Sequence, residues 1–139
     1  DLKIKGWAIE SRIYAEDPYR NFLPSIGRLR AYQAPAEGKT GDITLRNETG
    51  VREGDEISMF YDPMIAKVVA HGATRSEAIA RLDVALGATT LELVGPTGNP
   101  AGTNLDYLRK VLRSPEFEAG QYDTSFAEAF LKRAAEPRT

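Results

Sequence analysis

The sequence predicts an α+β fold: a small antiparallel, barrel-like sheet followed by two or three packed helices. Three observations carry that expectation. Period-two alternation of apolar and polar residues is confined to the first half, at Ala8–Tyr14 and Ile43–Glu48. The longest apolar run, Met64–Ala70, is broken only by Lys67 and is closed by His71-Gly72. That length, with β-branched residues near its end, suits a buried strand better than a helix. Beyond it the period lengthens, and helix-opening signals begin at Thr74. The chain is expected to pack around this central run. Pro63 stands at its start, where a missing N–H costs least, and Tyr61 and Asp62 sit at its mouth.

Successive side chains alternate across a strand. In Ala8–Tyr14 this turns Ile9, Ser11 and Ile13 one way and Ala8, Glu10, Arg12 and Tyr14 the other. Glu10 and Arg12 therefore share a face. The plain reading is a solvated face with an ion pair along one strand. The functional reading is an anion or oxyanion binder, because a guanidinium held in one rotamer by a carboxylate suits electrostatic stabilisation. Ala15–Asn21 reads as a polar turn stopped by Pro18, and Phe22-Leu23-Pro24 returns two large apolar groups to the core. Arg28–Tyr32 reads as a short strand with Leu29 and Ala31 inward and its arginines on a solvated edge. Ala34–Asp42, rich in Gly, Pro and charge, reads as an exposed loop. In the next strand Ile43 and Leu45 face in, while Thr44, Arg46 and Glu48 face out. Glu53-Gly54-Asp55-Glu56 makes a tight turn in which Gly54 can take positive φ, and Ile57–Phe60 leads back to the central strand.

The helical half opens with Thr74-Arg75-Ser76-Glu77, which has the form of a capping box. Ile79, Leu82 and Leu86 follow at helical spacing, Ala78 and Ala85 fill the same face, and Gly87 weakens the end. Gly95–Gly102 reads as a linker. It lacks the Gly-Lys-Ser/Thr with which a phosphate loop reaches its phosphates. Thr103–Asp106 opens a second helix with Leu105, Leu108, Val111 and Leu112 as its buried stripe, ended by Ser114-Pro115. Ser125–Glu128 resembles another capping box, with Phe126, Ala129 and Phe130 inward. The domain is expected to cover residues 1–131, leaving 132–139 as a polar tail or linker.

Composition narrows the function. A chain of 139 residues suffices for one domain with a real core. Its net charge of −2, with acids and bases intermixed, lacks the basic stripe expected of a nucleic-acid binder. No apolar run approaches the roughly 18 residues of a membrane span, and no signal-peptide pattern is present. With no cysteine there are no disulfides or thiolate metal sites, and with one histidine, His71, a zinc site would rest on carboxylates. No metal ligand is expected here. The chain opens on Asp1 and moves straight into a strand, which reads as a piece of a longer protein.

Longer phrases carry a resemblance. Gly6-Trp7-Ala8-Ile9-Glu10-Ser11-Arg12-Ile13-Tyr14-Ala15-Glu16-Asp17-Pro18, Phe22-Leu23-Pro24-Ser25-Ile26-Gly27, Tyr61-Asp62-Pro63-Met64-Ile65-Ala66-Lys67 and Thr103-Asn104-Leu105 occur in that order. Together they resemble the C-terminal domain of biotin carboxylases. With Trp7 and the Tyr19-Arg20-Asn21 turn, the chain looks most like that part of acyl-CoA carboxylase α chains of the propionyl-CoA type. The resemblance implies a sheet of the rudimentary hybrid-motif type. It implies an enzyme, an ATP-dependent ligase, that uses ATP, magnesium or manganese, and bicarbonate to carboxylate N1 of biotin held on a carrier domain. It implies an upstream ATP-grasp domain, a carboxyltransferase component, a homodimer, and a bacterial cytoplasmic setting or else the mitochondrial matrix. The family's Glu-x-Arg arginine, here Arg12, stabilises the biotin enolate. Glu10, on the same face, is expected to hold Arg12. Tyr61 and Asp62 are expected to border the biotin site, and Arg46 matches a dimer-interface position. The ATP, metal and bicarbonate residues lie upstream in the family, so the chain alone is expected to be inactive. The Gly95–Gly102 stretch is longer than the family's usual link before Thr-Asn.

Two other classes compete with this one. The turn Glu53–Glu56 is similar to turns of biotinyl and lipoyl carrier modules, but Lys67 lacks the exposed Met-Lys-Met hairpin that such a carrier modifies. A purely structural dimerisation module would use most of the same residues as scaffold.

Overall fold

The computed structural model describes residues 1–135. Along them run ten strands. They are Trp7–Tyr14 (β1), Glu16–Asp17 (β2), Leu23–Pro24 (β3), Gly27–Gln33 (β4), Gly38–Thr40 (β5), Ile43–Thr49 (β6), Glu56–Ile57 (β7), Met64–Gly72 (β8), Thr90–Val94 (β9) and Pro100–Ala101 (β10). The helices are Arg75–Gly87 (α1), Leu105–Leu112 (α2), Pro115–Ala119 (α3) and Phe126–Ala135 (α4). None is long and apolar enough to cross a membrane.

The apolar run is central, as its composition demands. β8 pairs antiparallel with β1 on one side and β6 on the other, in a four-stranded sheet of order β1-β8-β6-β5. A strand flanked on both sides and covered on one face buries every second residue, here Ala66, Val68, Ala70 and Gly72; Ile65, at the register shift, is buried out of phase with them. Ile9, Ser11 and Ile13 of β1 and Leu45 of β6 share that buried face. α1 lies across it with Ala78, Ile79, Leu82, Ala85 and Leu86. Its start is the expected capping box: the Thr74 hydroxyl accepts from the Glu77 amide at 3.2 Å, and Glu77 Oε2 accepts from the Thr74 amide at 3.3 Å. Burying each large aliphatic side chain contributes about 1.5–3 kcal/mol, so this layer is the main stabilising contact of the domain.

The α+β class holds, but the barrel does not. A second antiparallel sheet, order β10-β9-β4-β7, stands apart from the first, and β2 and β3 form a separate ladder. Among the described residues β1 and β5 end the first sheet without pairing to the second, so the sheet stays open. The described helices number four rather than two or three. The extra one, α3, begins where α2 stops: Ser114 caps it and Pro115 takes its first turn, where the missing N–H is harmless.

Four local expectations change with this topology. Gly95–Gly102 is a hairpin turn and return strand rather than a linker. Gly98 adopts φ 82°, and the Gly95 amide donates to Asn99 O at 2.8 Å. The strand before it, β9, pairs with β4 and buries Leu93. Ile57 pairs with β4 rather than leading the chain along the central strand, and Met59 and Phe60 are exposed. Leu23 is also exposed, because Asn21 and Phe22 both take left-handed φ and swing the chain outward. Phe22 keeps an edge-to-face contact with Tyr107 of α2. In α4, Phe126 and Phe130 are half-buried and Ala129 is exposed. The Ser125 hydroxyl donates to Asp123. α4 continues through the first residues of the expected tail, and residues 136–139 lie outside the described part.

Candidate functional site

The face of the first sheet turned away from α1 is charged. Strand register sets its rows: Arg12 stands opposite Lys67, which stands opposite Glu48, and in the adjoining row Glu10 stands opposite Val69 and then Arg46. Residues two apart on one strand point the same way. Arg12 Nε thus reaches Glu10 Oε1 at 2.5 Å, and Arg46 pairs with Glu48 in the same manner. Lys67 Nζ adds a cross-strand contact to Glu48 Oε2 at 3.2 Å. Arg12 remains 57% exposed, so the pair adds little stability. What it fixes is direction. The Glu10 carboxylate, and after it the Tyr14 side chain, raise the Arg12 pKa above its ordinary value, so the guanidinium is charged at any working pH.

The backbone under Arg12 is held from two sides. β8 takes its inner edge, although the ladder shifts register between Ile13 and Tyr14. On the outer edge the Asn104 side chain accepts from the Tyr14 amide at 2.8 Å and donates to Arg12 O at 3.0 Å. Just beyond, the Ala15 amide donates to Pro63 O at 2.9 Å, which ties the end of β1 to the loop before β8.

Tyr61 and Asp62 lie on that loop, so they sit at the same end of the sheet as Arg12. Tyr61 is 82% exposed. Asp62 turns Oδ1 back to the Met64 amide at 2.9 Å, and among the described residues it forms no ion pair with Arg12. Arg46 shares the open face two strands away from Arg12. Glu10 and Arg12 are therefore brought together, Tyr61 and Asp62 stand nearby on a loop, and Arg46 stands apart. Asn104 escaped the sequence reading. Its signal there was that of an ordinary helix-opening asparagine. Among the described residues no group of three or more acidic or histidine side chains gathers as a metal site.

Residues 10–129 match the family model described as the biotin carboxylase C-terminal domain. The chain belongs to that family. As a biotin carboxylase C-terminal domain it is 46% identical over 141 aligned positions to the propionyl-CoA carboxylase alpha chain of Ruegeria pomeroyi, covering 91% of this chain and 20% of that one. It is 42% identical to the mitochondrial propionyl-CoA carboxylase alpha chain of Homo sapiens, again over 91% of this chain but 16% of that one. Among solved structures, the biotin carboxylase domain dimer of the Hydrogenobacter thermophilus 2-oxoglutarate carboxylase superposes with a TM-score of 0.82 at 28% identity. That match covers 99% of this chain and 28% of the other. The domain thus spans about a fifth or less of the length of these curated relatives.

Proposed function

We propose that this domain works as the C-terminal part of a biotin carboxylase in an acyl-CoA carboxylase α chain of the propionyl-CoA type. The whole enzyme carboxylates N1 of carrier-borne biotin at the expense of ATP, with bicarbonate as carbon source and magnesium or manganese on the nucleotide. One observation carries the reading: Arg12, in the Glu-x-Arg phrase, stands on an open face with its Nε already committed to Glu10. Loss of the N1 proton places negative charge on the ureido oxygen of biotin. A permanently charged, pre-oriented guanidinium lowers the energy of that state without a protonation change of its own. Its Nη groups are the donors that meet the oxygen, and Glu10 keeps the planar group from rotating.

Tyr61 and Asp62 border the biotin site in this reading, supported by the Ala15–Pro63 tie between their loop and the end of β1. Arg46, exposed on the same sheet face, makes the dimer contact. The nucleotide, metal and bicarbonate are held by an upstream ATP-grasp domain, and a carrier domain and a carboxyltransferase component complete the assembly. The domain alone is inactive. The setting is a bacterial cytoplasm or the mitochondrial matrix; several relatives are named as mitochondrial. The carrier-module alternative is disfavoured, since Lys67 lies mid-strand, paired to Glu48 rather than presented on a hairpin.

The test is Arg12→Ala in the full-length enzyme, following biotin carboxylation and bicarbonate-dependent ATP cleavage separately. Removing one oxyanion donor costs about 10²–10³ in rate, so carboxylation should fall by that factor while ATP cleavage stays within a few-fold. Unchanged carboxylation would return Arg12 to a solvated ion pair.

A further inference from the structure

Asn104 stands at the N-cap of α2, yet its side chain makes no capping hydrogen bond there. Asparagine is among the best residues for that task, so the α2 N-terminus goes without a contribution it could have had. The carboxamide is spent on β1. Oδ1 accepts from the Tyr14 amide at 2.8 Å, Nδ2 donates to Arg12 O at 3.0 Å, and the Asn104 amide itself donates to Tyr14 O at 3.2 Å. Asn104 is only 6% exposed, so these bonds face little competition from water.

Among the described residues β1 is an edge strand, with β8 as its ladder partner. The outward groups of Arg12 and Tyr14 would otherwise be open. A carboxamide carries one acceptor and donors in the geometry of a peptide group, so Asn104 closes this edge as one residue of a further strand would. It does so where support is most needed. The β1–β8 register slips between Ile13 and Tyr14, and a bulge bends a strand and loosens its ladder. α2 is a firm base for the clamp, because Asp83 of α1 accepts from both Arg109 and Arg113 at 3.0 Å, and α1 lies on the same sheet.

We propose that Asn104 is a positioning residue for Arg12: its carboxamide fixes the backbone from which the guanidinium meets the biotin ureido oxygen. This rests on the reading of Arg12 given above. A displacement of about 1 Å at such a donor costs on the order of 10²-fold in rate.

The experiment uses the full-length enzyme and separates the two half-reactions. Asn104→Ser is the informative variant. Serine is a good N-cap, so α2 keeps its start, but its short side chain cannot span Arg12 O and Tyr14 N. Biotin carboxylation should fall about 10- to 100-fold in kcat with ATP cleavage within about twofold. In an Arg12→Ala background the same substitution should cause no further loss. Leu29→Ala, which weakens the second sheet at a buried position away from α2, serves as the structural control and should leave the ratio of the two activities unchanged. A parallel fall of both activities in Asn104→Ser, full carboxylation in that variant, or a loss that persists without Arg12 would each overturn the proposal. If Arg12→Ala retains carboxylation, the reading of Arg12 fails and the proposal goes with it. If Arg12→Ala loses carboxylation and Asn104→Ser does not, the proposal alone fails.

Discussion

Asp83 is the joint between the first two helices, and its removal is expected to loosen the domain by about 2–3 kcal/mol. Its two oxygens accept Nε of Arg109 and Nε of Arg113, each at 3.0 Å. The two bonds are not equal. Asp83 is 19% exposed and Arg109 31%, whereas Arg113 is 60% exposed. Arg109 also lies against Gly87, where an added Cβ would come within 2.8 Å of its Nη2. A charge-assisted hydrogen bond in a partly buried setting contributes roughly 1.5–3 kcal/mol, and Arg109 belongs near the lower half of that range. The Arg113 bond, mostly solvated, adds less than about 1 kcal/mol. At roughly 3–4 °C per kcal/mol for a domain of this size, Asp83→Ala should lower Tm by about 6–12 °C. Urea melts of the wild type, Asp83→Ala, Arg109→Ala, Arg113→Ala and the two double variants give the coupling energies directly. A total loss under about 0.5 kcal/mol would refute the reasoning. So would equal coupling to the two arginines, because Arg109 is 31% exposed and Arg113 60%.

Arg46→Glu in the full-length enzyme is expected to shift a dimer toward monomer in sedimentation velocity, since it reverses one charge on the open sheet face and breaks the pair with Glu48; a fully dimeric variant would remove Arg46 from the interface. For acid behaviour, the Glu116 carboxyl is held below its ordinary value of 4.5, first by its own backbone amide and then by Arg133 of α4 at 2.6 Å. A depressed carboxylate stabilises the fold above its unfolded pKa and loses that contribution as pH falls through the folded pKa. The α3 start and its contact with α4 should therefore keep this small contribution at neutral pH and lose it progressively as pH falls below about 4.5, as hydrogen exchange in α3 and α4 would show. A Glu116 titration midpoint above 4.5 by NMR would contradict the assignment.

The parts of this fold that sequence reveals are those whose physics is local. β1 shows alternation because it has one buried face, with Ile9, Ser11 and Ile13 inside and Glu10 and Arg12 outside. β8 reads as a run because its second face also carries apolar residues, Ile65 and Val69, with Lys67 between them, and Thr74 with Glu77 announce α1 through contacts three residues apart. β9 was hidden because five residues between the end of one helix and a Gly-Pro turn carry too short a pattern. α3 was hidden because Ser114-Pro115 reads first as a stop signal for α2, although the same pair starts the next helix. Barrel closure is a question of which distant edges meet, and no local pattern encodes that. The site divides in the same way. Glu10 and Arg12 fall together by alternation alone, but placing Lys67 beside Glu48 needs the register of two strands, and giving Asn104 to Arg12 needs contact across 92 residues.

That last separation bears on how the domain is made. Among the described residues β1 has no ladder partner before Met64–Gly72, and Asn104 closes its outer edge at Arg12 and Tyr14. At synthesis rates of about 5–20 residues per second, the first strand waits roughly 3–10 s for its neighbour and several seconds more for its clamp. Loop closure over such distances also favours slow, non-local assembly once the chain is free. Within this domain, the strand that bears Arg12 is thus among the first segments to be synthesised and among the last to be locked. Conditions that delay the docking of α2 should accumulate chains whose sheet and first helix are in place while the guanidinium has yet to find its fixed aim.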